Sequence, residues 1–211
     1  QNLKKKMSTE IETYLKSIQK TCPELAEEDI LHFSEGLTIT ELDKNDFYIT
    51  VGQTQKQGGF LTSGLVRAFH TDQKGNEKNI YFIPENDYTF HYASFVMQKP
   101  CPLSFQCIEP SIIINFPIDH LQKSYESNPK FEKYSRLILE EKLKLQQERL
   151  ESLLYQNAEQ RYQNFISQYP QLFNRITITH LCSYLGVERQ TLTRIRQKLS
   201  QKNNFDTNVS V

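Results

Sequence analysis

The residues with the most chemistry to offer lie near the end of the chain: Arg189, Gln190, Thr193, Arg194, Gln197 and Lys198. Their spacing puts all six on one side of a helix. Arginine pairs in bidentate fashion with guanine, and glutamine does the same with adenine. Lysine, threonine and arginine also reach phosphate oxygens. On the other side of the same helix, Leu192, Ile195 and Leu199 recur at i, i+3 and i+7. The pattern is a helix with one face packed inward and the other presenting groups that can read a duplex.

Short elements before it must hold that helix. Thr177 is placed to cap a preceding helix, in which Leu181 and Leu185 form an apolar i,i+4 pair. Gly186 ends that helix, where the backbone needs a positive φ. Two helices around such a turn form a helix-turn-helix, whose second helix enters the major groove. The alternative is a helical hairpin that binds nothing, but turn chemistry and basic face agree on the first reading. Between residues 174 and 202 there are six Arg or Lys (175, 189, 194, 196, 198, 202) and one acid, Glu188. The segment therefore carries +5 and the rest of this neutral chain −5. A local basic patch suits a protein that finds DNA without adhering to every polyanion.

Other chemistry is sparse. The four cysteines, Cys22, Cys101, Cys107 and Cys182, form no Cys-x-x-Cys pair, and there is no secretory signal or long apolar run. A reducing, cytoplasmic setting away from membranes is the expectation. Cys101 and Cys107 can be read as a thiol switch or as small core side chains. The five histidines (32, 70, 91, 120, 180) contain no His-x-His pair of a metal cupin. Gly-x-Ser-x-Gly, phosphate-loop and dinucleotide motifs are missing too. The chain is expected not to be an enzyme and to need no cofactor or metal. The competing reading is a cupin-like small-molecule-binding protein or enzyme whose helix-turn-helix has lost its contacts.

Along the chain, residues 8–20 read as an amphipathic helix through Ile11, Tyr14, Leu15 and Ile18, closed by Pro23. A short helix follows over 26–34. From 37 to 117, short runs rich in Ile, Val, Phe, Tyr and Thr alternate with turn signals at 43–46, Gly58-Gly59, 72–76, 84–87 and Glu109-Pro110. That texture predicts an antiparallel β roll or sandwich, with 65–70 and 78–83 as a hairpin. Asn128-Pro129 opens a long helix to about residue 155. Leu139, Leu143, Leu150 and Leu153 make a narrow seam on it, with charged flanks, and such a seam wants a partner helix. A parallel homodimer supplies one; packing on its own β domain is the alternative. A further helix spans about 158–168, before Pro170. Residues 1–6 precede Met7 and read as a short basic start or an expression remnant.

This order of elements resembles the Crp/Fnr family of bacterial transcription regulators over residues 8–198. The C-terminal motifs Ala158-Glu-Gln-Arg-Tyr-Gln-Asn-Phe165, Tyr169-Pro170 and Ser183-Tyr-Leu-Gly-Val-Glu-Arg-Gln-Thr-Leu-Thr-Arg-Ile-Arg196 are similar to its Bacteroidetes-type branch. The resemblance implies an α+β chain in three parts: a cyclic-nucleotide-binding-like sensor (8–127), a dimerisation helix (128–156) and a winged helix-turn-helix (157–211). It implies base reading by Arg189, Gln190 and Arg194. The middle position is usually Glu, so Gln190 shifts the preference toward adenine. Double-stranded DNA, a second copy of the chain, RNA polymerase and a small-molecule effector of unknown identity are the implied partners.

The sensor half departs from the family. A cyclic-nucleotide site uses a Gly-Glu-Leu turn and an Arg-Ser or Arg-Thr pair. Here Phe90-His91-Tyr92 and Cys101-Pro102 stand in those places, and no arginine lies between Arg67 and Arg136. Burying a phosphate without a matching cation is costly. Lys99 lacks the bidentate fork, and Cys22 alone cannot hold an iron–sulfur cluster. His91 can be read as a haem or metal ligand or as a polar wall. The region is crowded with aromatics, so Tyr88, Phe90, His91, Tyr92 and Cys101 are expected either to line an apolar effector pocket or to fill a degenerate one.

Overall fold

A computed structural model describes residues 8–208, with 202–208 as backbone alone. Residues 1–6 and the last three residues of the expected third part lie outside the described residues. The chain divides into two compact units, one of residues 8–76 and 80–143, the other of 77–79 and 144–208.

The first unit begins with α1 (Thr9–Thr21), capped by Ser8 Oγ, which accepts from Ile11 N at 3.4 Å. α2 (Glu27–Ser34) follows. Eight strands come next: β1 (Thr38–Leu42), β2 (Phe47–Ile49), β3 (Gln57–Ser63), β4 (Val66–Thr71), β5 (Glu77–Ile83), β6 (Asp87–Tyr88), β7 (Ser104–Cys107) and β8 (Ser111–Pro117). They form two four-stranded sheets, ordered β1-β8-β3-β6 and β2-β7-β4-β5. The expected hairpin is β4 and β5, joined by a turn at Gly75 (φ 81°).

Strand alternation explains how the core divides. Leu61 and Ile113 point between the sheets, where Ile49, Val66, Ala68, Ile83, Cys101, Leu103, Phe105 and Cys107 complete a buried cluster. Their neighbours Phe60, Ile114 and Phe116 point the other way. There they meet Tyr14 and Ile18 of α1, Phe33 of α2, and Phe131 and Tyr134 of α5 (Lys130–Tyr155). The first sheet is thus covered on both faces, so β8 reads as the unbroken run Ile112-Ile113-Ile114 rather than an alternating one. Asn115 is the polar exception on the inner side. Its amide donates to Thr40 Oγ1 at 2.8 Å, and its oxygen accepts from Tyr48 Oη at 2.8 Å.

Three features differ from the sequence expectation. Gly58-Gly59 is not a turn but lies inside β3, paired with Phe116 and Asn115. A Cβ on Gly58 would strike the Phe116 ring, and one on Gly59 would strike Thr89 and sit 2.7 Å from Ile113 Cγ2. The glycines are there for close packing, not for a bend. Two helices were not expected: α3 (Tyr92–Met97) and α4 (Ile118–Ser127). α3 is under two turns long, too short for a periodic signal, and its cap is a histidine rather than a usual cap residue.

In the second unit, α5 continues to Tyr155, having started where Asn128 Oδ1 accepts from Lys130 N at 3.0 Å. α6 (Ala158–Gln168) opens with a reciprocal cap. Asn157 Oδ1 accepts from Gln160 N at 3.0 Å, and Gln160 Oε1 accepts from Asn157 N at 2.9 Å. A 3₁₀ turn at Pro170–Leu172 leads to α7 (Ile178–Leu185) and α8 (Arg189–Asn208). Tyr162, Phe165, Leu172, Leu181, Leu185, Leu192 and Ile195 are buried as their core. No strand follows α7 among the described residues. The wing implied by the resemblance is therefore missing there: α8 runs on through the residues that would have formed it.

Candidate nucleic-acid interface and sensor pocket

The α7–α8 turn is built as its residues dictate. Thr177 Oγ1 accepts from His180 N at 3.1 Å. Gly186 takes the left-handed conformation at φ 65°, and Val187 N donates to Cys182 O at 3.1 Å. Leu192 and Ile195 seat α8 on the core, with Leu199 half-buried. Rotation of about 100° per residue then turns the other side outward. Arg189, Gln190, Thr193, Arg194, Gln197 and Lys198 are all exposed.

Two of these side chains already have partners. Thr193 Oγ1 donates to Arg189 O at 3.0 Å, which spends its proton and leaves its methyl and the oxygen's lone pairs facing outward. Lys198 Nζ pairs with Glu159 of α6 at 2.7 Å, although its side chain is 68% exposed. Such a surface pair is worth about 0–1 kcal/mol and yields easily to a phosphate. Arg196 on the flank of α8 is drawn back over the Phe173 ring, 5.3 Å from its centroid.

The dimer seam expected on α5 is uncovered. Leu143, Leu150 and Leu153 are 66%, 57% and 46% exposed, Leu154 is 65% exposed, and Leu139 is half-buried. Helical rotation puts these positions on one stripe. Sequence reasoning missed Leu154, because strict heptad counting passes from Leu153 to Asn157.

The five residues expected around an effector are not gathered into one cavity. Tyr88 and Phe90 belong to the aromatic packing outside the first sheet. Tyr88 stacks edge-on to Phe60 at 5.2 Å, and Phe90 lies 5.3 Å from Phe95 and 6.0 Å from Phe116. The Tyr88 hydroxyl bonds that of Tyr134, and burial pushes both phenols well up, so they stay neutral. Cys101 is on the opposite side, in the core between the sheets, where burial raises its thiol pKa. His91 caps α3: its Nδ1 accepts from Ser94 N at 3.3 Å, and burial lowers its pKa. Tyr92 faces outward. With Tyr125, Glu132, Ser135, Arg136, Leu139, Glu140 and Leu143 it lines an open groove of about 360 Å³.

Among the described residues, no group of three or more His, Cys, Asp or Glu could hold a metal ion, and no helix is long and apolar enough to cross a membrane.

No protein-family model matches the chain, and no curated protein matches it by sequence. Solved structures do. FixK2 from Bradyrhizobium japonicum superposes with a TM-score of 0.70 at 13% identity, over 79% of this chain and 86% of that one. The c-di-GMP-responsive global regulator CLP of Xanthomonas campestris gives 0.68 at 12% identity, over 84% and 93%. The catabolite activator protein of Thermus thermophilus gives 0.55 at 16% identity, over 89% and 88%. These likenesses establish the fold: the α+β architecture of Crp/Fnr regulators, with a cyclic-nucleotide-binding-like β roll and a helical C-terminal part.

Proposed function

We propose that this protein is a dimeric, sequence-specific DNA-binding transcription regulator of the Crp/Fnr type. In this reading, residues 8–127 are the sensor, 128–156 the dimerisation helix and 157–211 the DNA-binding part. The observation that carries it is the exposed face of α8. Arg189, Gln190 and Arg194 stand free in its first turns, opposite Leu192 and Ile195, directly after the Gly186 turn. Arg189 and Arg194 suit guanine, Gln190 suits adenine, and Thr193 and Lys198 suit the thymine methyl and phosphate. The structural neighbours named as a global regulator and as a catabolite activator protein support the same reading. The leucine stripe of α5 supports a homodimer, because a regulator with one such helix per chain reads a twofold site as a pair.

The sensor is read as degenerate. The chain has no arginine between Arg67 and Arg136 at the place where the family holds a cyclic phosphate, and the rings of Phe90, Phe95 and Phe116 pack against one another there. Enrichment of bound duplexes from a random pool tests the function. A consensus with twofold symmetry is expected, and Arg194→Ala should cost about 1–3 kcal/mol on it and relax preference at one position per half-site. Retention of no duplex above non-specific levels, or an unchanged profile for Arg194→Ala, overturns the assignment.

A further inference from the structure

We propose that Arg149 and Arg161 are positioning residues that lock the α7–α8 pair onto the end of α5 and thereby set the separation of the two recognition helices. The inference rests on the reading of the chain as a dimeric DNA-binding protein. The last carbonyls of any helix lack donors within it. In α7 these include Tyr184 O and Leu185 O, immediately before Gly186.

Both are taken by guanidinium groups from earlier helices. Arg149, on α5, donates through Nη2 to Tyr184 O, and its guanidinium lies over the Tyr184 ring, 3.9 Å from the centroid. Arg161, on α6, donates through Nε to Leu185 O at 2.9 Å. Its Nη1 donates to Gln156 O, just beyond the end of α5, at 2.6 Å. Two fixed forks therefore join the end of α5 to the turn that aims α8. Cations at this point also meet the negative end of the α7 dipole.

The geometry matters because Leu150 and Leu153 sit on the same turns of α5 as Arg149. If those leucines lie at the twofold axis, Arg149 relates that axis to α7 through one side chain. A planar guanidinium defines both a stacking plane and a donor direction. A lysine would keep the charge and lose both. Replacing the forks should leave each recognition helix chemically intact but free to take several poses.

The test uses the full chain and the duplex that it selects, with the two half-sites moved apart or together in single base-pair steps, and a duplex carrying one half-site. The variants are Arg149→Lys, Arg161→Lys and the double substitution, each checked for native helix content. The wild type should discriminate against a shifted spacing by about tenfold or more, because dimeric readers fix half-site spacing geometrically. The variants should bind the single half-site within about threefold of wild type and keep the base preference set by Arg194, while discrimination among spacings falls to about threefold or less. A wild-type spacing profile in the double variant overturns the proposal. So does an equal loss on single and paired half-sites with the profile retained, which marks a merely structural role. A wild type that selects no duplex ends the DNA-binding reading itself, a result separate from either of these.

Discussion

Replacing Leu150 with Glu puts a charge into the middle of the exposed α5 stripe. In the single chain Leu150 is 57% exposed, so the isolated helix loses little packing and its helix content should hold. In a dimer the exposed part would be covered twice, once from each chain. At the transfer value for a leucine side chain, that burial contributes about 2–3 kcal/mol in all. Losing it weakens association roughly 30- to 100-fold at 1.4 kcal/mol per decade. Two carboxylates facing each other across the axis add to the loss, because neither gains a partner on leaving water. Sedimentation equilibrium on wild type and variant reads the constant directly, with circular dichroism as the control for folding. The variant should also bind a palindromic duplex less tightly while keeping its affinity for one half-site. A wild-type chain that stays monomeric at micromolar concentration would refute the reasoning, as would a Leu150→Glu dimer as tight as wild type.

Gly59→Ala should destabilise the first unit by about 1–3 kcal/mol, the range for overpacking a close-packed core, because its Cβ meets Thr89 and Ile113; a urea midpoint equal to wild type would contradict this. His91 caps α3 in its neutral form, and burial lowers its pKa, so the unfolded chain takes up a proton first as pH falls. Its contribution is present above the usual histidine range and lost as pH drops through the folded pKa. The difference in melting temperature between wild type and His91→Asn should therefore shrink on acidification, and a pH-independent difference would oppose the capping role. Calorimetry with cyclic AMP and cyclic GMP should give no binding tighter than about 10 μM, roughly 7 kcal/mol; tighter binding would mean that another cation serves the phosphate.

Local chemistry makes much of this protein legible in its amino-acid sequence. Caps and stops act within a few residues, so Asn128, Thr177 and Gly186 mark their helix ends by residue type alone. Helical period does the same for the two faces of α8 and for the leucine stripe of α5. Other features depend on what arrives from far along the chain, and no local rule carries that. Gly58-Gly59 carries a turn's composition, and only its pairing with Phe116 and Asn115 of β8 makes it strand, with the Phe116 ring and Thr89 so close that no Cβ would fit. Tyr88, Phe90, His91, Tyr92 and Cys101 are near in sequence and look like one pocket. The layering of two sheets under helices sends Phe90 into one core, Cys101 into another and Tyr92 to the surface. Arg149 and Arg161 read as ordinary helix-surface cations until the end of α7 reaches them. Sequence determined the two faces of α8, the apolar stripe of α5 and the helix ends marked by Asn128, Thr177 and Gly186. Tertiary packing decided which space was left empty and which carbonyl each guanidinium would find, because both depend on contacts between residues distant in the chain.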